Sequence, residues 1–455
     1  MKTFLLTAVA VVFLNSFVAA QQSDAALRRA MSDDTTSRDS SGKLQTLPAA
    51  VHLARAESYS SNRMFPQARE HWQKVFDNYP DDAGMPKALF GTARSYMWEK
   101  EYAKAVDWFD KLLANYLNTK DGREGLAFKG ASLVRLGKNI EAAKVYEQYI
   151  TMFPEGERIE SAHLNTIDAY REAGKYDDAN KWIDRTAIRF AGKPAEVNAL
   201  HARLRMEVYR EHWQAASDAA DSLLSGKSFA GAMAGSDEVK YLKAFALEKA
   251  GNKSAAAAAY NSINDGTYYG GLAEDKKMAI GIKTTASTFA SKSYSDYPAT
   301  YRTELLQSAR KFKIDPRFVL AIMKQESSFR ANAKSPAGAR GLLQLVFDTA
   351  MKYNKTAGYP TLHPDDLYRP GTNIAIGSAY IGDLKNQFSG LYEAIAASYN
   401  GGEDNAARWL NRTKPKDAGI FAAEVGFAES KAYVFKVMNN YRVYRELYTE
   451  DLNRR

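Results

Sequence analysis

The 455-residue sequence predicts an all-α protein: a series of helical hairpins, then a separate and mainly helical C-terminal third. Two patterns carry that expectation. A short tetrad recurs every 36 to 40 residues over the first half, and an apolar stripe at helical spacing starts at Val319. Composition agrees, because 45% hydrophobic and 25% charged residues exclude both a largely disordered chain and a membrane bundle. The length allows two or three units, each with its own core. Cysteine is absent, which excludes disulfides, thiolate metal sites and cysteine nucleophiles.

In chain order, one lysine precedes an apolar run from Phe4 to Leu14, and Val18-Ala19-Ala20 closes the segment. This is the layout of a cleavable secretory signal over 1–20. The apolar stretch is shorter than the roughly 20 residues a membrane span needs. With no cysteine to carry lipid, the expectation is a soluble, periplasmic protein without a stable membrane anchor. Residues 21–46 are rich in Ser, Asp, Thr and Gln without hydrophobic periodicity, so they read as a flexible leader.

The tetrads Phe65-Pro-Gln-Ala68, Tyr102-Ala-Lys-Ala105, Ile140-Glu-Ala-Ala143, Tyr176-Asp-Asp-Ala179 and Trp213-Gln-Ala-Ala216 come next, with a weaker copy ending at Ala256. Their alanines lie 37, 38, 36, 37 and 40 residues apart. Aromatics such as Trp72, Trp108, Tyr146, Trp182 and Tyr260 come three or four positions later and are expected to fill the space between repeats. This texture resembles tetratricopeptide-type hairpins forming a superhelical domain over 47–260. Such an array implies either a surface for a protein partner or a scaffold that positions the C-terminal third. A junction at 261–296 reads as a helical linker, in which Tyr268-Tyr-Gly-Gly271 and Ser/Thr-rich residues mark turns.

Charge is uneven. Residues 301–455 hold 23 basic and 16 acidic side chains, a net of +7, whereas 21–300 hold 38 and 37. The C-terminal third is therefore expected to meet an anionic partner, and charge alone fits nucleic acid, anionic lipid or anionic polysaccharide. Nucleic acid lacks support from any basic-aromatic motif. Neither HExxH, a phosphate loop nor a GxSxG elbow occurs, and the six histidines are scattered, so no metal or cofactor is expected.

Asp315-Pro316 reads as a helix start, with Asp as N-cap and Pro in the first turn. Val319, Ile322, Met323 and Glu326 then fall at i, i+3, i+4 and i+7, and Phe329 continues the stripe. Glu326 is thus set on the core-facing side, where a carboxyl becomes a weaker acid and can act as a proton donor near neutrality. The alternative is a partly exposed glutamate satisfied by Arg330 or Arg340. Ser335-Pro336 reads as a second cap and first turn, and Ala337, Gly338, Ala339 and Gly341 allow close backbone approach.

Lys324-Gln-Glu326-Ser-Ser-Phe329, Ser335-Pro-Ala-Gly-Ala-Arg-Gly341-Leu-Leu-Gln344, Asn373-Ile-Ala-Ile-Gly377, Ala396-Ala-Ser-Tyr399-Asn400-Gly-Gly402 and Phe427-Ala-Glu429-Ser-Lys-Ala-Tyr433 occur in order. Together they resemble the lytic transglycosylase domain of glycoside hydrolase family 23, here over 297–455. The resemblance implies a lysozyme-like, mainly helical catalytic domain behind a helical superhelix, as in the soluble members. It implies cleavage of the MurNAc-GlcNAc bond of peptidoglycan glycan strands, with Glu326 as single catalytic acid/base. Substrate-binding roles pass to Ser335, Gly341, Gln344, Tyr399, Asn400 and Glu429: Ser335 and Gln344 near the carboxyl or sugar, Gly341 keeping the groove open, and Tyr399 bonding Glu326 or substrate. Asn400 reads as binding or as a helix cap, and Glu429 as holding sugar or ordering the cleft. Tyr433, Tyr441, Tyr444 and Tyr448 run at helical spacing and read as core. Leu343, Phe347, Ala423 and Gly426 depart from the family pattern. Two rival readings stand beside this one: a lysozyme-like hydrolase, and a non-catalytic glycan-binding scaffold.

Overall fold

A computed structural model describes residues 26–281 and 293–455. The expected export signal, the first residues of the leader and part of the junction lie outside the described residues. Among the described residues the regular elements are helices, joined by turns and isolated β-bridges such as Arg340–Leu345. None of these helices is long and apolar enough to cross a membrane.

Each tetrad opens a helix: Phe65–Asn78, Tyr102–Tyr116, Asn139–Met152, Tyr176–Arg189, Trp213–Leu224 and Lys253–Asn261. The tetrad alanines Ala68, Ala105, Ala143, Ala179, Ala216 and Ala256 are all fully buried. One turn into the helix, a methyl group lets two backbones approach where a longer side chain would hold them apart. The aromatics complete the packing by lying over glycines. A Cβ at Gly91 would meet the Trp72 ring at 2.4 Å, and one at Gly130 the Tyr146 ring at 2.6 Å. Trp108 and Trp182 remain partly exposed.

The chain forms two compact units. One runs through Ala179 and includes Lys334–Ala339; the other holds Asn180–Ala333 and Arg340–Arg455. In the second unit, helices that read as repeats are joined to the C-terminal third by polar contacts. Arg205 meets Glu424 at 2.7 Å, Lys431 meets Glu238 at 2.8 Å, and Tyr241 donates to Asp417 at 3.1 Å. Glu238, Glu424 and Lys431 are buried. Packing therefore divides the chain within the repeats, whereas motif boundaries place the change at 261–296. The junction's glycine pair lies inside the helix Tyr268–Ala279 rather than in a turn. Thr267 caps that helix, and Cβ atoms at Gly270 and Gly271 would strike the Asn264 carbonyl and the Arg442 guanidinium. The pair serves close packing.

The described part of the leader departs from the flexible reading. Residues 26–36 are helical, and Asp34 is buried against the first hairpin. Leu47 N–H donates to His52 Nε2 at 2.9 Å, so the neutral His52 carries its proton on Nδ1. That proton goes to His71 Nδ1 at 2.9 Å, which leaves His71 Nε2–H for Asp34 at 2.9 Å. Tyr59 donates to the same carboxylate at 2.6 Å, and Arg55 pairs with it. Burial pushes His52 down to about 4 and His71 below its ordinary value. Burial works to raise Asp34, but bonds from Tyr59, His71 and Arg55 outweigh it and hold the carboxyl below the usual range. Composition missed this order because the partners lie 21 to 37 residues away.

Asp34→Ala leaves Arg55 and the histidine pair without their shared anion and is expected to cost about 2–4 kcal/mol in urea unfolding. Both histidines bind protons more readily unfolded than folded, so the stability they lend is lost as pH falls from about 6.5 toward 4. Amide exchange protection of 30–46 should drop over that window, and unchanged protection would refute the account.

Candidate active site

The helix Pro316–Ser327 starts as its sequence dictates. The Asp315 side chain accepts from Arg317 N–H at 2.9 Å, with Pro316 in the first turn. Its burial exceeds the single stripe read from the sequence, since every residue from Pro316 through Met323 is buried. Exposure begins only at Lys324. The helix then stops abruptly, with Ser328 and Phe329 both left-handed at φ 49° and 65°. Ser327 pins this end through its hydroxyl, which donates to Leu342 O at 2.8 Å.

Glu326 therefore sits where a fully enclosed helix emerges at a surface, partly exposed and mostly surrounded by protein. Burial pushes its carboxyl up to about 7, and the nearby Glu429 charge adds to the rise. The Tyr433 hydroxyl donates to Glu326 Oε1 at 2.7 Å and pulls the other way. Among the described residues no cation pairs with Glu326, so neither Arg330 nor Arg340 plays that part; Arg330 Nε bonds Ser327 O instead. The last turn of a helix is also its negative end, which further disfavours the anion.

Tyr433 is the residue of the candidate site that spacing alone misses. It belongs to the tyrosine stripe of the helix Ala428–Leu447, whose Tyr441, Tyr444 and Tyr448 do bond within the core, to Asp315, Pro298 O and Tyr297 O. Tyr399, expected to reach Glu326 or substrate, instead donates to Leu343 O at 2.7 Å and packs against Tyr380. It still lies close enough for the Glu326 charge to add to burial in pushing its phenol well up. Asn400 accepts from Ser430 at 2.6 Å and approaches Glu429 at 3.5 Å, while the helix cap falls to Gly402. Glu429 is exposed in the first turn of the last helix. Glu326, Tyr399, Asn400, Glu429 and Tyr433 thus form one neighbourhood.

The small-residue loop behaves differently from its sequence reading. Residues 334–346 form turns and an Arg340–Leu345 bridge, with no helix after Ser335-Pro336. Ser335 closes a local turn, its Oγ accepting from Ala339 N at 3.1 Å. Gly341 has φ 79°, and a Cβ there would meet Leu367 O at 2.1 Å and Asn373 Nδ2 at 2.3 Å, so its smallness serves the loop's own packing. Gln344, left-handed at φ 46°, donates to Ala333 O at 3.0 Å and Gly341 O at 2.8 Å. The buried Asn373 staples the loop, accepting from Leu343 N and donating to Arg340 O and Leu367 O. Leu343 is buried against Gly377, and Phe347 opens the helix Phe347–Ala357 without disturbance. Glu424, beside Ala423, is held by Arg205 and Arg412. Among the described residues no group of three or more His, Asp or Glu side chains is arranged to hold a metal ion.

A helical domain with an elevated carboxyl at a partly open helix end, carried behind helical repeats, is the class of protein that fold and site define. Residues 305–421 match the Transglycosylase SLT domain, and residues 53–116 and 129–194 match the Tetratricopeptide repeat family. The soluble lytic murein transglycosylase of Salmonella typhimurium is 32% identical over 151 residues, 33% of this chain and 23% of the relative. Membrane-bound lytic murein transglycosylase C of Salmonella paratyphi B is 34% identical over 160 residues, 30% of this chain and 44% of the relative. The chain spans about a quarter of the length of the soluble curated relatives it matches. In fold, it is similar to the 70 kDa soluble lytic transglycosylase of Escherichia coli, with TM-score 0.51 and 18% identity over 94% of this chain and 85% of that one. The lytic transglycosylase Slt of Pseudomonas aeruginosa gives TM-score 0.50 at 16% identity over 93% and 86%.

Gly341→Ala is expected to destabilise the second unit by on the order of 2–4 kcal/mol, because strain at positive φ adds to contact with a backbone carbonyl. Calorimetric melting checks it. Glu326 keeps its proton to higher pH folded than unfolded, so its ionisation costs stability as pH rises from about 4.5 through about 7. Glu326→Gln should therefore match wild type near pH 4 and melt higher near pH 8, by roughly 1–2 kcal/mol once partial exposure is allowed for.

Proposed function

We propose that this chain is an exported, periplasmic lytic transglycosylase that cleaves the MurNAc-GlcNAc β-1,4 bond of peptidoglycan, with residues 297–455 as its catalytic domain. The observation that carries the reading is Glu326: a carboxyl held near neutrality by burial and bonded by Tyr433, inside the SLT match. Its protonated form donates to the glycosidic oxygen, and the C–O bond to the anomeric carbon breaks. The substrate's own acetamido oxygen stabilises the positive anomeric carbon. Glu326, now a carboxylate, accepts the proton of the muramyl 6-hydroxyl as that oxygen closes a 1,6-anhydro ring. The proton is restored and water is not consumed. One carboxyl serves both steps in turn, where most glycosidases place two.

Tyr433 positions Glu326 and tempers its basicity. Tyr399 holds the loop carbonyl of Leu343 beside the site, and Asn400 with Glu429 lines its rim. The +7 of residues 301–455 favours a polymer whose peptides carry carboxylates. The repeats serve as the surface for any protein partner.

The test is digestion of purified sacculi. Wild type should release muropeptides one water lighter than reducing ends, and Glu326→Gln should lower the rate at least about a thousandfold with its fold intact. Reducing ends alone would establish a hydrolase. A folded but inactive wild type would leave the scaffold reading. Tyr433→Phe removes the bond that lowers the Glu326 pKa, so the alkaline limb of the pH–rate profile should move to higher pH; a shift the other way would contradict the assigned role.

A further inference from the structure

The three helices that build the active site also wall a second cavity at their other ends. The helix Pro316–Ser327 carries Glu326 in its last turn and Arg317 in its first. Tyr392–Gly401 carries Tyr399 toward one end and Glu393 toward the other, and Ala428–Leu447 likewise carries Tyr433 and Arg445. Arg317, Glu393 and Arg445 all line a cavity of about 600 Å³. At 1.5 Å per residue, Arg317 and Glu326 stand about 14 Å apart along their helix, so the cavity is separate from the acid. Its volume suits a small ligand.

Most charges on its wall are already matched. Arg317 is held by Asp315 at 2.7 Å and Glu450 at 3.2 Å, and Arg442 by Glu274 at 3.0 Å. Three groups have no charged partner among the described residues: the Glu393 carboxyl and the guanidiniums of Arg445 and Arg455, the last bonding only the Tyr448 carbonyl. The Arg445 guanidinium has only the Tyr441 ring, 5.7 Å away. The Glu393 carboxyl, 5% exposed, receives a side-chain bond only from Tyr268, at 3.2 Å. Burial without a cation pushes it up to about 7. The Asn439 carboxamide also faces the space and makes no hydrogen bond among the described residues. Glu393 is buried whereas Arg445 and Arg455 stand at the open side of the cavity, so a ligand cation gains most at Glu393 and a ligand anion meets guanidiniums at the rim. A ligand with both an ammonium and a carboxylate satisfies the carboxyl and the rim together.

We propose that this cavity binds a short peptide bearing both charges, its ammonium on Glu393 and its carboxylate on Arg445. Building on the function proposed above, that peptide is the stem of the peptidoglycan strand, held apart from the bond being cut. The two readings fail separately, because peptide binding requires no glycosidic cleavage.

The probe is the sugar-free tripeptide L-alanyl-γ-D-glutamyl-meso-diaminopimelate, titrated calorimetrically into the full chain at about pH 8 and low salt. Wild type should bind it, and Glu393→Gln and Arg445→Glu should each weaken binding about tenfold or more. The same tripeptide with its amines succinylated should lose affinity to the same extent. Circular dichroism and an unchanged rate on glycan stripped of stems confirm that both variants remain folded with an intact active site. Absence of binding up to millimolar peptide, or wild-type affinity in both variants, overturns the proposal. Binding lost in Glu326→Gln but kept in Arg445→Glu also overturns it, because the peptide would then lie in the catalytic cleft.

Discussion

A carboxyl kept where a buried helix meets the surface, with no counter-cation among the described residues, is the constraint around which the second unit is organised. Glu326 would revert to an ordinary surface acid if its helix could slide outward by a turn. It cannot slide, because that helix is buried on every side through Met323 and is fixed at its start by Asp315, which Arg317 and Tyr441 also bond. At the other end two left-handed residues stop it, and Ser327 fastens it to the loop at Leu342. The opposing terms are all local. Burial and the Glu429 charge raise the carboxyl, and the Tyr433 bond lowers it. The outcome near 7 is a balance that any one of these groups can move.

Tyr433 can supply that bond only if the last helix keeps its register, and the register is held from the repeat side. Two residues before Tyr433, the buried Lys431 ammonium bonds Glu238, 193 residues earlier in the chain, and also Ala423 O. A buried pair of this kind adds little net stability, since desolvation offsets most of the attraction. Sliding the helix by one residue, however, would leave two buried charges unmatched, at several kcal/mol each. The Arg205–Glu424 pair binds the neighbouring helix Ala418–Glu424 in the same way. These contacts explain why the later repeats pack as one unit with the SLT region.

How much could be read in the sequence depends on how local each determinant is. The repeats were legible because a buried alanine one turn into each second helix recurs with the hairpin. The start at Asp315-Pro316 and the placing of Glu326 were legible because capping and helical spacing act within a turn or two. Tyr433 was not, since a stripe of tyrosines looks alike at every position and only the fold selects which hydroxyl meets a carboxyl 107 residues away. The loop at 334–346 misled for a related reason. Ser-Pro before a run of small residues suits a helix start, but Asn373, on another helix, holds this backbone in turns through two hydrogen bonds, to Leu343 N and Arg340 O. The order of the leader likewise depends on Arg55, Tyr59 and His71, which composition cannot see.

Glu326 and Glu393 show why an elevated carboxyl does not by itself define a catalyst. Burial pushes both up to about 7, and neither has a cation beside it among the described residues. Their settings differ in the features that matter for chemistry. Glu326 is partly open, at the negative end of its helix, with a second carboxylate nearby; each feature favours holding a proton that an incoming oxygen can take. Glu393 is enclosed and lies in the first turn of its helix, where the exposed N–H groups favour the anion. Burial and the helix field therefore oppose each other at Glu393, and a cation brought into the cavity would settle the conflict in favour of the charged form. At Glu326 the two act together. On the two proposals made above, the same side chain in one unit serves as a proton donor in one place and as a receptor for positive charge in the other.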